Sequence, residues 1–178
     1  MGQSKPIPKG MHTVTPSLVL RDCAGAIQFY ERAFGARELM RMPSPDGQRI
    51  WHAELKIGDS IVYLADEQPG AAARAPSPTQ PAPMSIQLYV SDCDAVFARA
   101  VKAGAHATMA LEDMFWGDRM GTVADPFGYQ WSISTHVRDV PQREMERAIA
   151  AMRQPRPGPP DELAAFRQAE EEERSSLT

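Results

Sequence analysis

From Val14 onward apolar and polar residues alternate, which predicts a strand with Leu18 and Leu20 on one face and Thr15, Ser17 and Val19 on the other. Asp22 then stands where a helix cap is expected. Ala26, Ile27, Tyr30, Ala33 and Phe34 follow at helical spacing, up to Gly35-Ala36, where a left-handed terminating residue is expected. Three short strands come next, near 37–43, 50–57 and 60–65, separated by Pro45-Asp46-Gly47 and Gly58-Asp59 as turn signals.

The same order recurs further along the chain. Shifted by 70 positions, Leu18, Leu20, Asp22 and Cys23 fall on Leu88, Val90, Asp92 and Cys93; Gly58 falls on Gly128, and Ile61 and Tyr63 on Trp131 and Ile133. A one-residue deletion in the helix brings Gly35-Ala36 onto Gly104-Ala105. Val96, Phe97, Ala100 and Val101 form the second helical stripe, and strands near 106–111, 119–124 and 129–135 follow, with Asp125-Pro126-Phe127-Gly128 as a turn. Between the repeats, five prolines in 67–83 exclude a helix interior or a central strand.

The chain therefore reads as an α+β protein: a flexible arm (1–11), a βαβββ module (12–66), a Pro-rich linker (67–83), a second βαβββ module (84–136) and a helical C-terminal extension (137–178). The extension is expected to hold two helical pieces, near 141–153 and 161–174, around the breaker at 155–160.

Strand parity separates two faces. Leu18, Leu20, Ala53, Leu55, Ile57, Ile61, Tyr63, Ile86, Leu88, Val90, Trp131 and Ile133 are expected under the helices. The other face carries His52, Glu54, Lys56, Gln87, Tyr89, Gln130, Ser132 and Ser134, too polar for a dry core. It is either the wet side of an antiparallel sheet or, if the sheet curves, the floor of a pocket rimmed by Phe115-Trp116-Gly117-Asp118-Arg119.

Lys+Arg of 19 against Asp+Glu of 23, a net charge of -4, speaks against a nucleic-acid partner. No apolar run is long enough for a membrane span, no leader is recognised, and two cysteines make no disulfide framework, so a reducing cytoplasm is the expected compartment.

The opening TVTPSLVLRDCAGAIQFYERAFGA, the segment HAELKIGD and above all EDMFWGDRMGTVADPFGYQWSISTHVRDV resemble the glyoxalase, bleomycin-resistance and extradiol-dioxygenase (vicinal oxygen chelate) superfamily, in its 3-demethylubiquinone methyltransferase-like branch. The resemblance covers residues 12 to about 140. It implies two βαβββ modules pairing into a curved, cup-like sheet, frequently completed in a homodimer, with a divalent metal on the floor of the metal-dependent members. The family's ligand positions fall by strand register on Thr15, Glu54, Ser85 and Ser132, of which only Glu54 is a competent ligand. No metal or other cofactor is therefore expected; a divalent metal in a rearranged site is the alternative.

The expected function is small-molecule binding, with a metal-dependent lyase, isomerase or dioxygenase, or a partner-binding module acting through its C-terminal helices, as alternatives. Glu54 as general base and His52 as orienting residue are the catalytic candidates. Gln87, Tyr89 and Ser132 supply a polar floor, Trp116 a stacking surface and Arg119 a guanidinium for an anionic or carbonyl oxygen. Arg119 can alternatively pair with Asp118 or Asp125. A metal reading would need His12, His106 or His136 to converge with His52, and Cys23 and Cys93 are better explained by packing than by reactivity.

Overall fold

The computed structural model describes residues 5–8, 10–77 and 79–153. The elements run β1 (Ser17–Leu20), α1 (Cys23–Phe34), β2 (Arg37–Pro43), β3 (Ile50–Ile57), β4 (Ser60–Asp66), β5 (Ser85–Tyr89), α2 (Cys93–Ala103), β6 (His106–Asp113), β7 (Asp118–Ala124), β8 (Gln130–His136) and α3 (Gln142–Met152). The order is the duplicated βαβββ pattern. Two four-stranded mixed sheets result, β1-β4-β3-β2 and β5-β8-β7-β6, each with one parallel pair, β1–β4 or β5–β8.

The helix starts are built alike. Asp22 accepts the Gly25 amide at 2.8 Å and Asp92 the Ala95 amide at 2.9 Å. Both helices end at a left-handed glycine, Gly35 (φ 66) and Gly104 (φ 117), whose amides close back onto the last turn. The backbone that enters each helix is held by the last strand of its module: Asp66 Oδ1 accepts the Cys23 amide at 2.8 Å, and Thr135 Oγ1 accepts the Cys93 amide at 2.9 Å.

Strand register corrects part of the expected face assignment. Ala53 pairs with Leu64 and Leu55 with Val62, so Leu64 and Val62 turn toward the helices, while Ile61 and Tyr63 share the opposite face with Lys56 and Glu54. Val62 and Leu64 therefore correspond to Trp131 and Ile133, one residue short of the 70-residue offset, because the residue lost in the first half of the repeat is not regained before the last strand. Ile61 is nevertheless buried. The N-terminal segment crosses it at Gly10, and the Tyr63 hydroxyl donates to Met11 Sδ at 3.7 Å, so the inner end of the arm is docked.

One core joins both modules. α1 is buried along most of its circumference, through Ala26, Ile27, Phe29, Tyr30, Ala33 and Phe34, because it packs on its own sheet, on α2 and on the second module. Phe34 and Tyr30 meet the Trp131 ring at 4.5 and 5.3 Å between centroids, and Phe29 meets Phe127 at 6.0 Å. Asp125, buried in the turn before β8, ties this contact with four donors: the Tyr30 hydroxyl (2.7 Å) and Trp131 Nε1 (2.9 Å) on one oxygen, the Phe127 and Tyr129 amides (2.9 Å each) on the other. The Tyr129 hydroxyl takes the Val19 amide at 3.0 Å and returns a bond to the Val19 carbonyl at 2.9 Å, occupying the outer edge of β1.

The Pro-rich stretch runs over the second module as a loop. Ala82 donates to the Gly128 carbonyl at 3.0 Å, and Gly128, at φ 91, lies so close to Pro76 that a Cβ there would come within 2.8 Å of the ring. The chain divides after Asp139 into a second unit, where α3 occupies the first expected helical piece. The second piece, 161–174, lies outside the described residues.

Both sheets turn their apolar faces into the one core, which leaves their polar faces open. Leu88 shares the helix side with Ile133 yet stays half-buried, whereas Leu55 and Ile133 are fully buried. Leu55→Ala or Ile133→Ala is expected to cost about 2 to 5 kcal/mol in chemical denaturation. Asp125→Ala, which strands three buried donors, is expected to match the cavity variants at roughly 2 to 5 kcal/mol.

Candidate functional site

The expected site residues divide between two faces. On the first sheet, β3 presents His52, Glu54 and Lys56. Met42 and Met40 of β2 flank His52 and Glu54 on one side, and Tyr63 of β4 pairs with Glu54 on the other. The His52 ring packs edge-on against Tyr63 with centroids 4.6 Å apart. Its Nε2 stands 3.5 Å from Glu54 Oε1, a contact at the outer limit of a hydrogen bond. The carboxylate is half-buried and lightly bonded, so an incoming hydroxyl or N–H donor of a ligand can compete for it.

The second sheet's open face is more tightly bonded. Gln87 Nε2 donates to the fully buried Ser134 hydroxyl at 2.6 Å, and Ser132 lies 3.5 Å from the Thr122 hydroxyl. Asp118, buried at the start of β7, collects three side chains: the Tyr89 hydroxyl at 2.8 Å and Trp116 Nε1 at 3.1 Å on one oxygen, His136 Nδ1 at 2.8 Å on the other. His136 Nε2 lies 3.1 Å from Asp139. Burial works to raise the Asp118 carboxyl, but the bonds from His136, Tyr89 and Trp116 outweigh it and hold it below its usual range. The hydrogen bond to Asp118, then that to Asp139, raises the His136 imidazole above its ordinary value.

Gln87, Tyr89, Trp116 and Ser132 are thus gathered on one sheet, and His52 and Glu54 on the other. No hydrogen bond, ion pair or ring contact links the two groups among the described residues. Arg119 departs from expectation. It pairs with Thr135 across β7–β8, on the helix side, and its guanidinium grips Asp94 of α2 through two bonds of 2.8 Å and Asp113 through one of 3.1 Å. The alternate partners Asp118 and Asp125 are taken by other donors. Arg119 thereby ties helix α2 to the sheet.

Asp118, His136 and Tyr63 were not among the expected site residues. Parity counted from Asp118 through Met120 and Thr122 places that carboxylate on the polar face, the signal that could have found it. Tyr63 was displaced by the one-residue slip described above. Cys23 is fully buried, and burial followed by the Asp66 charge pushes its thiol up to about 12, which removes it as a nucleophile.

A family model described as Glyoxalase/Bleomycin resistance protein/Dioxygenase superfamily matches residues 11–133. The chain belongs to this superfamily. Uncharacterised proteins of Mycobacterium tuberculosis and Mycobacterium bovis are 46% identical over 141 residues, which cover 78% of this chain and 82% or 92% of theirs. TioX from Micromonospora sp. ML1 is 30% identical over 71% of this chain and 99% of its own, with a TM-score of 0.55. The PhnB protein of Bacillus cereus, named for 3-demethylubiquinone-9 3-methyltransferase, superposes with a TM-score of 0.55 over 70% of this chain and 99% of its own; at 16% identity it supports the fold alone.

The superfamily's metal-dependent members make a metal centre the first thing to test. Glu54 and Ser132 do lie on open faces, but one carboxylate and hydroxyls are a poor donor set for zinc, nickel or iron. Among the described residues no three of His, Cys, Asp or Glu gather as ligands. The residues do not fit the superfamily's metal.

The His136–Asp118 bond is open to titration. His136 is expected to titrate above free histidine by NMR, and Asp118→Asn to bring it down. A raised histidine stabilises the fold fully below the free-histidine value, and that contribution fades as pH rises through the folded value. The wild-type minus Asp118→Asn stability difference should therefore shrink between mildly acidic and mildly alkaline pH.

Proposed function

We propose that the protein binds a small aromatic or polycyclic compound on its open sheet faces and does so without a resident transition metal. The arrangement of Tyr89 and Trp116 on one oxygen of Asp118 carries this reading. Both rings are held by their polar ends, and Tyr89, 61% exposed, leaves its face free to stack. Gln87 and Ser132 stand beside them as hydrogen-bonding groups. On the first sheet Glu54 has the type and freedom for a general base, His52 can orient a bound oxygen, and Tyr63 with Met40 and Met42 adds apolar surface.

The candidate residues fall into two groups, one on each sheet, that no hydrogen bond, ion pair or ring contact joins among the described residues. The assembly proposed is a homodimer in which the first-module face of one chain closes over the second-module face of its partner. Its support is the edge of the second sheet. β5 pairs with β8 alone, and Ile86, Leu88 and Val90 are left half-buried along a groove of about 890 Å3 between the modules. No helix among the described residues is long and apolar enough to cross a membrane. Two buried free cysteines suit a reducing compartment, and the cytoplasm is the location proposed.

Thermal-shift screening against planar aromatic and polycyclic compounds tests the reading, since a ligand that binds only the folded state raises the melting temperature. A compound that stabilises the wild type but not Tyr89→Ala or Trp116→Ala supports it. Near-stoichiometric zinc, nickel, iron or manganese in protein purified without chelators, lost in Glu54→Ala, would move the reading to a metal-dependent lyase, isomerase or dioxygenase. For the assembly, Tyr63→Ala and Tyr89→Ala chains are expected to bind poorly alone and to regain one intact site per dimer when mixed; no recovery in a mixed dimer argues against a shared cup.

A further inference from the structure

Four arginines from separate segments meet at the end of the first module where α1 begins. Arg21 follows β1, Arg41 belongs to β2, Arg49 to the β2–β3 hairpin and Arg74 to the loop after β4, and all four line one open cleft of about 610 Å3. The cleft shares no lining residue with the groove between the modules, and none of the expected site residues borders it.

The acids around the cleft are mostly committed elsewhere. Asp66 spends one oxygen on the Cys23 amide (2.8 Å) and the other on the Ile50 amide (2.7 Å), and Asp22 accepts the Gly25 amide at 2.8 Å. The first amides of α1 are therefore already satisfied, and the helix end offers no free donors to a ligand. Glu38 holds Arg41 through two bonds, 2.9 and 2.7 Å. Glu67 alone serves two guanidiniums, Arg74 at 3.1 Å and Arg21 at a loose 3.9 Å. Arg49 makes no ion pair among the described residues; Asp46, whose charge it feels, is bound by the Ser44 hydroxyl and the Gln48 amide.

The cleft lining thus sets four guanidiniums against three carboxylates, Asp22, Asp66 and Glu67, and among the described residues Arg49 has no ion pair while Arg74 and Arg21 share one acid. A guanidinium fork matches a two-oxygen anion, and charge-assisted pairs of this kind are the stronger hydrogen bonds. We propose that this cleft is a second binding site, for a small molecule whose head is a dianionic oxyanion, either a phosphate monoester or a dicarboxylate. Arg49 and Arg74 are its principal contacts, and Glu67, released when the anion draws Arg74 away, is left to Arg21. The volume suits such a head with a short body, within the size range of ordinary ligand pockets. This site is independent of the aromatic-ligand reading and stands or falls apart from it.

Inorganic phosphate and succinate, each titrated at constant ionic strength into the full chain, are the probes, read by NMR at the arginine Nε–Hε and the Gln48 and Ile50 amide signals. Saturable shifts there are expected, with binding about tenfold or more weaker in Arg49→Gln/Arg74→Gln. Both arginines are exposed, and an unchanged amide spectrum elsewhere verifies that the variant is folded. Tyr89→Phe, in the other site, should bind like wild type. Saturation by phosphate alone assigns a phosphoryl head, and by succinate alone a dicarboxylate. Non-saturating shifts with both probes, or affinity unchanged in the double variant, overturn the proposal.

Discussion

The buried carboxylate of Asp125 decides how the two modules face each other. A charge removed from water must have its lone pairs answered, and here four donors answer them, two from its own turn and two aromatic. Tyr30 comes from α1 and Trp131 from β8, so satisfying one acid locks the first module's helix onto the second module's sheet. Burial, and then the neighbouring Asp125 charge, push the Tyr30 phenol well above its usual value and keep it a donor at any physiological pH. With α1 so placed, the apolar faces of both sheets share one core, and the polar faces are turned outward.

The duplication conserves tasks more closely than residues. Asp66 and Thr135 occupy matching places at the ends of β4 and β8, and each accepts the first amide of its module's helix. Their second bonds differ: Asp66 accepts the Ile50 amide, holding the start of β3, while Thr135 donates to the Val90 carbonyl. A carboxylate can accept twice, whereas a hydroxyl must donate once to be satisfied, so the substitution changes what each module end can tie down. The first module gains a bonded acid beside its arginine-lined cleft. The second keeps its buried acid, Asp118, for the open face.

Most of the fold was legible because its signals are local. Asp22 and Asp92 cap, Gly35 and Gly104 terminate, and the apolar stripes between them have helical spacing, so each helix is specified within a dozen residues. Register is a longer-range property, and there the reading failed at Ile61 and Tyr63: with a side-chain period of two, a one-residue slip exchanges the faces of a whole strand. The candidate site was legible to the extent that polar faces were. Glu54, His52, Gln87, Tyr89 and Ser132 lie on open faces, as alternation in β3, β5 and β8 implied. Arg119 was misplaced because the motif holding it suggested a rim, while its own parity in β7 and the acid at Asp94 commit it to the helix side. That the first module's helix joins the second module's core was not readable at all, since it depends on Tyr30 meeting Asp125 across 95 residues.

The two open faces also differ in how much bonding capacity they hold in reserve. Around Asp118 every strong group is already matched: the carboxylate has three donors, and His136 has acids at both nitrogens. A ligand gains little by competing with such a network, and the network's service is to fix the Tyr89 and Trp116 rings without consuming their faces. Around Glu54, among the described residues, the side-chain partner is His52 at 3.5 Å, so hydrogen-bonding capacity is left for a guest. One half is therefore built to offer rigid apolar surface and the other to offer a responsive acid–base pair. In the proposed homodimer the two are brought together from different chains.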